Sequence, residues 1–307
     1  MTKRIAVMSF MAIVPFISMA QVVLENEDQG VLLLEKGEKI LFYQEEPKSL
    51  NGKYERRHYI HPLWSPGGTV MTEDFPSDHL HHRGIFWTWH QVWIDGERIG
   101  DPWEIKDFDQ NVSELEFISD REGKGTLNLQ VEWLSDKWKP QGVKIPYLQE
   151  NTTITVHPKV KNYRQIDFKI TLKALTDNLF IGGSEDEKGY SGFSVRMILP
   201  EDVIFEGADG RVEPKVIAVE SPGYMNIYGT IEPVRKKQGI VIIDHPQNPG
   251  YPQKWILRKE RSMQNIVFPG SGTVEVPIDA PLVLRYTLIV YTGKLKNKMI
   301  IKIKNTL

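Results

Sequence analysis

From Thr126 to Trp133 polar and apolar side chains alternate without a break, Leu127, Leu129, Val131 and Trp133 on one side, Thr126, Asn128, Gln130 and Glu132 on the other. Residues 166–173 repeat the pattern, with Ile166, Phe168, Ile170 and Leu172 as the apolar set. A period of two is that of a strand with one buried and one wet face, and a helix cannot gather such a set on one side. Alternating or β-branched runs recur at 31–34, 112–118, 151–156, 191–199, 239–243, 273–276 and 282–291. Turn signals such as Glu122-Gly123, Ala208-Asp209-Gly210, Ser221-Pro222-Gly223 and Pro269-Gly270-Ser271-Gly272 separate them. No apolar pattern of helical period lasts twelve residues. The expectation is an all-β chain, one large antiparallel β-sandwich of about 18 strands with few or no helices.

The first twenty residues read differently. Lys3 and Arg4 precede an apolar stretch, Ile5 to Ile17, and Ser18-Met19-Ala20 supplies small residues where a signal peptidase cuts. Residues 1–20 are therefore expected to be a signal peptide and 21–307 a single exported domain, periplasmic or secreted. Nothing later is long and apolar enough to span a bilayer. The chain has no cysteine, which excludes disulfides, thiolate nucleophiles and cysteine-held metal. Removing Lys3 and Arg4 leaves 36 basic against 40 acidic side chains, interspersed, so no nucleic-acid footprint is present. The one basic concentration, Lys294, Lys296, Lys298, Lys302 and Lys304, alternates with Leu295 and Ile301 as a solvated edge strand would.

Six of the eight histidines lie between His58 and His90, and the centre of that window reads Asp78-His79-Leu80-His81-His82-Arg83-Gly84. Alone, His58 or His157 reads as a hydrogen-bonded structural group. Five ionisable side chains in six residues shift one another's proton affinity and are hard to satisfy by packing, so this run points to chemistry. As a strand it would place His79, His81 and Arg83 on one face and Asp78, Leu80 and His82 on the other; a loop entering a strand at Arg83 fits equally. Trp87 and Trp89 follow at once, either core residues or flat indole surfaces for the C–H face of a sugar.

Residues 61–87, His61-Pro62-Leu63-Trp64-Ser65-Pro66-Gly67-Gly68 through Asp78-His79-Leu80-His81-His82-Arg83-Gly84-Ile85-Phe86-Trp87, resemble the signature of the PmoA-like family of exported bacterial proteins of unassigned activity. Asp186-Glu187-Lys188-Gly189-Tyr190-Ser191-Gly192-Phe193 with Arg196 is similar to the family's central block, and Asp244-His245-Pro246-Gln247-Asn248-Pro249 with Trp255 to its later one. One departure follows Trp255, where Ile256 stands in place of a histidine. The family's name refers to a methane oxygenase subunit with spanning helices, which this chain lacks after its leader. By strand-rich length the family resembles the sugar-binding supersandwiches of aldose-epimerase type, in which a concave sheet holds His, Arg and a carboxylate over a carbohydrate. The resemblance implies substrate contacts for Tyr190, Asn248 and Trp255.

The candidate catalytic set is His79, His81, His82, Arg83, Glu187, Asp244 and His245, expected to converge on one cleft. Glu187, in a glycine-framed loop, is either a carboxylate held at that cleft or a solvated acid beside Lys188. Asp244 and His245 are either a base with its orienting carboxylate or a turn with Asp244 capping the backbone. Arg196 and Arg285, on strands amid apolar neighbours, call for partners such as Glu187 or a substrate carboxylate, or form structural ion pairs. Trp87, Trp89, Tyr190, Arg196, Asn248, Trp255 and Arg285 complete the candidate substrate surface.

Three mechanisms compete. In one, a histidine or Glu187 takes a proton from a sugar while another imidazole gives one, with Arg83 or Arg196 steadying an oxyanion, as in a hydrolase, lyase or epimerase needing no cofactor. In the second, His79, His81 and a distant ligand hold a divalent metal, although the acid expected after a His-x-His pair is missing from residues 84–88. In the third, a non-catalytic module merely holds a glycan. Gly-x-Ser-x-Gly does not occur, so a serine nucleophile has no support. The expected function is an exported carbohydrate-active enzyme, with carbohydrate its partner, no metal and no cofactor.

Overall fold

A computed structural model describes residues 21–232 and 235–307; the expected leader lies outside the described residues. Two large antiparallel sheets carry the fold. The first has eight strands in the order Val22–Glu27, Gly30–Glu35, Glu38–Gln44, Tyr59–Leu63, Ile85–Trp89, Ser191–Val195, Gln264–Val267 and Lys254–Ile256. The second has nine: Asp109–Ser119, Gly125–Leu134, Leu148–Val156, Tyr163–Ala174, Leu282–Thr292, Lys236–Asp244, Tyr224–Ile231, Ile204–Gly207 and Gly210–Arg211. A four-stranded sheet and a hairpin, Lys48–Leu50 with Lys53–Arg56, complete an all-β sandwich of 23 strands among the described residues. The excess over about 18 comes from strands of two to four residues, too short to show a period.

The two alternating runs form strands that bury the expected faces. Leu127, Leu129, Val131 and Trp133 are buried, as are Ile166, Phe168, Ile170 and Leu172. The sheets meet through aromatic rings: Trp87 of the first sheet packs edge-on to Phe168 of the second at 6.0 Å between centroids, and Phe193 stacks on Tyr286 at 4.7 Å. One contiguous hydrophobic cluster includes side chains of both sheets.

The basic C-terminal stretch is not an edge strand. It forms the helix Asn297–Lys304, with Ile300 and Ile303 buried against Tyr224, Val241, Ile243, Ile289 and Tyr291 on the outside of the nine-stranded sheet. Ile301, which suggested alternation, is 47% exposed. Spacing of three between Ile300 and Ile303 is the helical signal, and it outweighs the Lys pattern because those two side chains have an apolar patch to cover. No described helix is long and apolar enough to cross a membrane.

Candidate functional site

The site rests on the outer side of the eight-stranded sheet. In the strand Ile85–Trp89 all five residues are buried: Ile85, Trp87 and Trp89 belong to the main core, and Phe86 to a separate small cluster with Tyr59, Trp103, Met263 and half-buried Tyr190. This small cluster is the floor of the histidine loop. The loop enters the strand at Gly84, where a Cβ would overlap the Ile60 carbonyl oxygen, so only glycine permits the approach.

Residues 76–82 form turns, with the His79 N–H donating to Pro76 at 3.1 Å and the His82 N–H to His79 at 2.9 Å. Of the two geometries open to the sequence, the loop into a strand is the one adopted. The turns gather three imidazoles: His79 stacks on His82 with centroids 4.6 Å apart, and His81 stands edge-on to His82 at 4.5 Å. Arg196, 2% exposed, lies beneath them. Its Nε donates to Glu73 at 2.8 Å, its two Nη atoms grip Asp78 at 2.7 and 3.0 Å, and Nη1 also reaches His82 Nδ1 at 3.2 Å. Since guanidinium only donates, His82 Nδ1 is the acceptor and its proton sits on Nε2.

Asp78 in turn accepts the Nδ1–H of His79 at 2.8 Å. Partial burial works against ionisation of Asp78, but hydrogen bonds from Arg196 and His79 hold its carboxyl well below the usual range. His79 is thus oriented by a fixed carboxylate, with Nε2 left as the acceptor, and its side chain is 43% exposed. Burial, reinforced by its imidazole neighbours and Arg196, pushes His82 down to about 2; burial and then Arg56 push His81 down to about 4. At pH 7 both are neutral.

Around the cluster stand residues that the sequence did not single out. His81 Nε2 lies 3.6 Å from Glu104, His90 Nδ1 is 3.2 Å from Asp101, and the His90 ring stacks on Trp103 at 5.0 Å. Trp103 also meets His82 and Tyr190. The turn at 101–104 carries no periodicity or motif; the aromatic and two acids in Asp101-Pro102-Trp103-Glu104 were its only signal. His79 opens onto an open cleft of about 610 Å³ lined also by Tyr190, Lys188, Lys215, Val216, Arg258 and Arg261.

Several expected site residues fall elsewhere. Arg83 is fully buried, paired to Asp74 at 2.9 Å and stacked on Phe75, so it braces the loop and steadies no oxyanion. Trp87, Trp89 and Trp255 are core side chains whose indole N–H groups donate to Glu150, Phe268 and Ser221. They offer no stacking surface. Arg196 pairs with Glu73 and Asp78, not with Glu187, and Glu187 is exposed on the loop beside Lys188 without lining the cleft.

The single composite site is corrected as well. His245 lines a different cavity, on the outside of the nine-stranded sheet with Thr153, Asp167, Lys169 and Arg285, which shares no residue with the His79 cleft. His245 Nδ1 accepts from the Gln247 N–H, Nε2 donates to the Leu307 carbonyl, and burial lowers its proton affinity. Asp244 accepts from the Asn248 amide and the Gln253 N–H instead of from the His245 ring. Asn248 further donates to the Arg285 carbonyl. The Asp244 block is therefore a capped turn, held by side chains that satisfy backbone. Among the described residues no set of three or more His, Asp or Glu is arranged to hold a metal ion.

These features define an antiparallel β-sandwich carrying a histidine loop on the outer face of one sheet. The chain belongs to DUF6807, a family of unknown function whose model matches residues 30–303. No curated protein matches the sequence.

Proposed function

We propose that the chain is an exported carbohydrate-active enzyme, a hydrolase, lyase or epimerase, working by acid–base chemistry at the histidine cleft. The observation that carries this reading is the Arg196–Asp78–His79 relay: a buried guanidinium fixes a carboxylate, and the carboxylate fixes an imidazole whose other nitrogen faces a cleft with no hydrogen-bond partner among the described residues. An imidazole held in one orientation by a carboxylate, with its second nitrogen facing a cleft, is the group that proton removal requires. Elimination can use one ring to take the carbon-bound proton and pass it to the departing oxygen; epimerisation needs a donor on the opposite face of the sugar and hydrolysis a second acid or base, and the Tyr190 phenol lines the same cleft. Tyr190 and exposed Val216 supply apolar surface for sugar C–H faces. The likeness of residues 61–87 to the PmoA-like signature belongs to this reading and adds no activity to it.

The rival is a module that holds a glycan and does no chemistry. Glycans are screened by calorimetry and by reducing-end and ultraviolet product assays, followed by His79→Gln on whichever glycan responds. An enzyme loses turnover by about 100-fold or more with little change in binding. Binding without product, and affinity lost in the variant, leaves only the module.

A further inference from the structure

The cleft beside His79 is cationic in a chain whose formal net charge is −2. Lys188, Lys215, Arg258, Lys259 and Arg261 line it against one acid, Glu260. Two of the five are compensated, Lys188 by Asp186 at 3.3 Å and Lys259 by Glu213 at 3.0 Å. Arg258, Arg261 and Lys215 form no ion pair among the described residues.

Arg258 is built into place. Its Nη1 donates to the carbonyls of Lys215 and Leu257 at 2.8 and 2.9 Å, Nη2 donates to Val216 at 2.8 Å, and the guanidinium lies over the Tyr190 ring at 5.7 Å. Its own backbone is pinned on both sides by fully buried Gln264, which accepts from the Arg258 N–H and donates to its carbonyl. Carbonyls orient a guanidinium without cancelling its charge, and the remaining N–H groups stay available for a pair of anionic oxygens. Two more unpaired cations and a phenol share that cleft.

We propose that this cleft takes glycans carrying an oxyanion, the carboxylate of a uronic acid or a sulfate ester, held by Arg258, Arg261 and Lys215 next to His79. The inference deepens the acid–base reading by naming the substrate class, and its binding half stands without turnover. Full compensation of the lining would have suited a neutral sugar; unpaired cations beside apolar surface suit a charged one.

Calorimetry on the purified chain compares trigalacturonate, its methyl ester as a neutral isostere, and a sulfated galactose trisaccharide. At least one anionic probe should bind about tenfold or more tightly than the ester, more weakly as salt rises, and the tighter of the two names the anion. Arg258→Gln should lower that affinity about tenfold or more and leave the ester unaffected; because Arg258 also ties three carbonyls, the exposed Arg261→Gln and Lys215→Gln should act in the same direction without changing Tm. Binding of both anionic probes no tighter than that of the ester, or no binding of either anion, overturns the inference. His79-dependent turnover of a neutral glycan would do so while leaving the acid–base reading intact, whereas selective anion binding with no product from any probe would support the substrate class and count against catalysis.

Discussion

Arg196 does three jobs with one planar group, and no other side chain could. Its Nε, Nη1 and Nη2 atoms hold Glu73, both oxygens of Asp78 and His82 Nδ1 at once. Lysine would keep the charge but lose the fork, freeing Asp78 to rotate away from His79. On the proposed acid–base reading, Arg196→Lys is therefore expected to lower turnover tenfold or more with little change in glycan binding, since the imidazole loses its fixed carboxylate. Unchanged turnover with only a lower Tm would reduce Arg196 to a packing role. The sequence marked His79, His82 and Arg196 as polar groups needing partners. It could not say that Arg196 meets Asp78, because the two are 118 positions apart and charge complementarity has several solutions at that range.

The histidine loop owes its acid sensitivity to being folded. A free imidazole takes up a proton near 6.5, whereas burial holds His81 down to about 4 and His82 down to about 2. Below pH 6.5 the unfolded chain binds protons that the folded loop refuses, so these rings contribute stability above that pH, and it is lost as pH falls from 6.5 towards 4 and below. Tm should fall across that window, and His82→Asn should flatten the slope; an equal slope in the variant would show that this ring is not buried in the native state. His61, also held down to about 4 by burial, keeps part of the slope in either case. Among the elements, those with a long period-two pattern were legible, because alternation has one structural solution. For residues 76–84 the sequence leaves strand and loop equally open, since the choice follows from the Arg83–Asp74 pair and the small aromatic floor, and the C-terminal helix escapes the pattern because its lysines alternate while its two buried isoleucines do not.

At the scale of the molecule, the two sheets are joined by charge as well as by rings. Glu150, on the nine-stranded sheet and without exposed surface, accepts from His58 Nε2 and Trp87 Nε1 at 2.7 Å each, from Trp133 Nε1 at 3.0 Å and from Thr152 Oγ1 at 2.5 Å. His58 Nδ1 in turn meets the Tyr43 hydroxyl at 2.8 Å, and Tyr43 and Trp87 belong to the opposite sheet. Burial alone would raise the Glu150 carboxyl, but the His58 charge and the hydrogen bonds more than offset it, so the group stays ionised inside the sandwich. His58 is the hydrogen-bonded structural histidine that its sequence suggests; Glu150 gave no sign, because an acid at an inward position breaks the pattern that reveals inward positions. Removing one member strands the others' donors or charge in an apolar core. Glu150→Ala is thus expected to destabilise by about 3–5 kcal/mol in urea unfolding. Replacing His58 and Glu150 together with apolar residues of similar volume should recover a good part of that loss, since the stranded charge goes with its partner. A single-variant cost below about 1 kcal/mol would mean that water reaches the cluster and the sheets are held by packing alone.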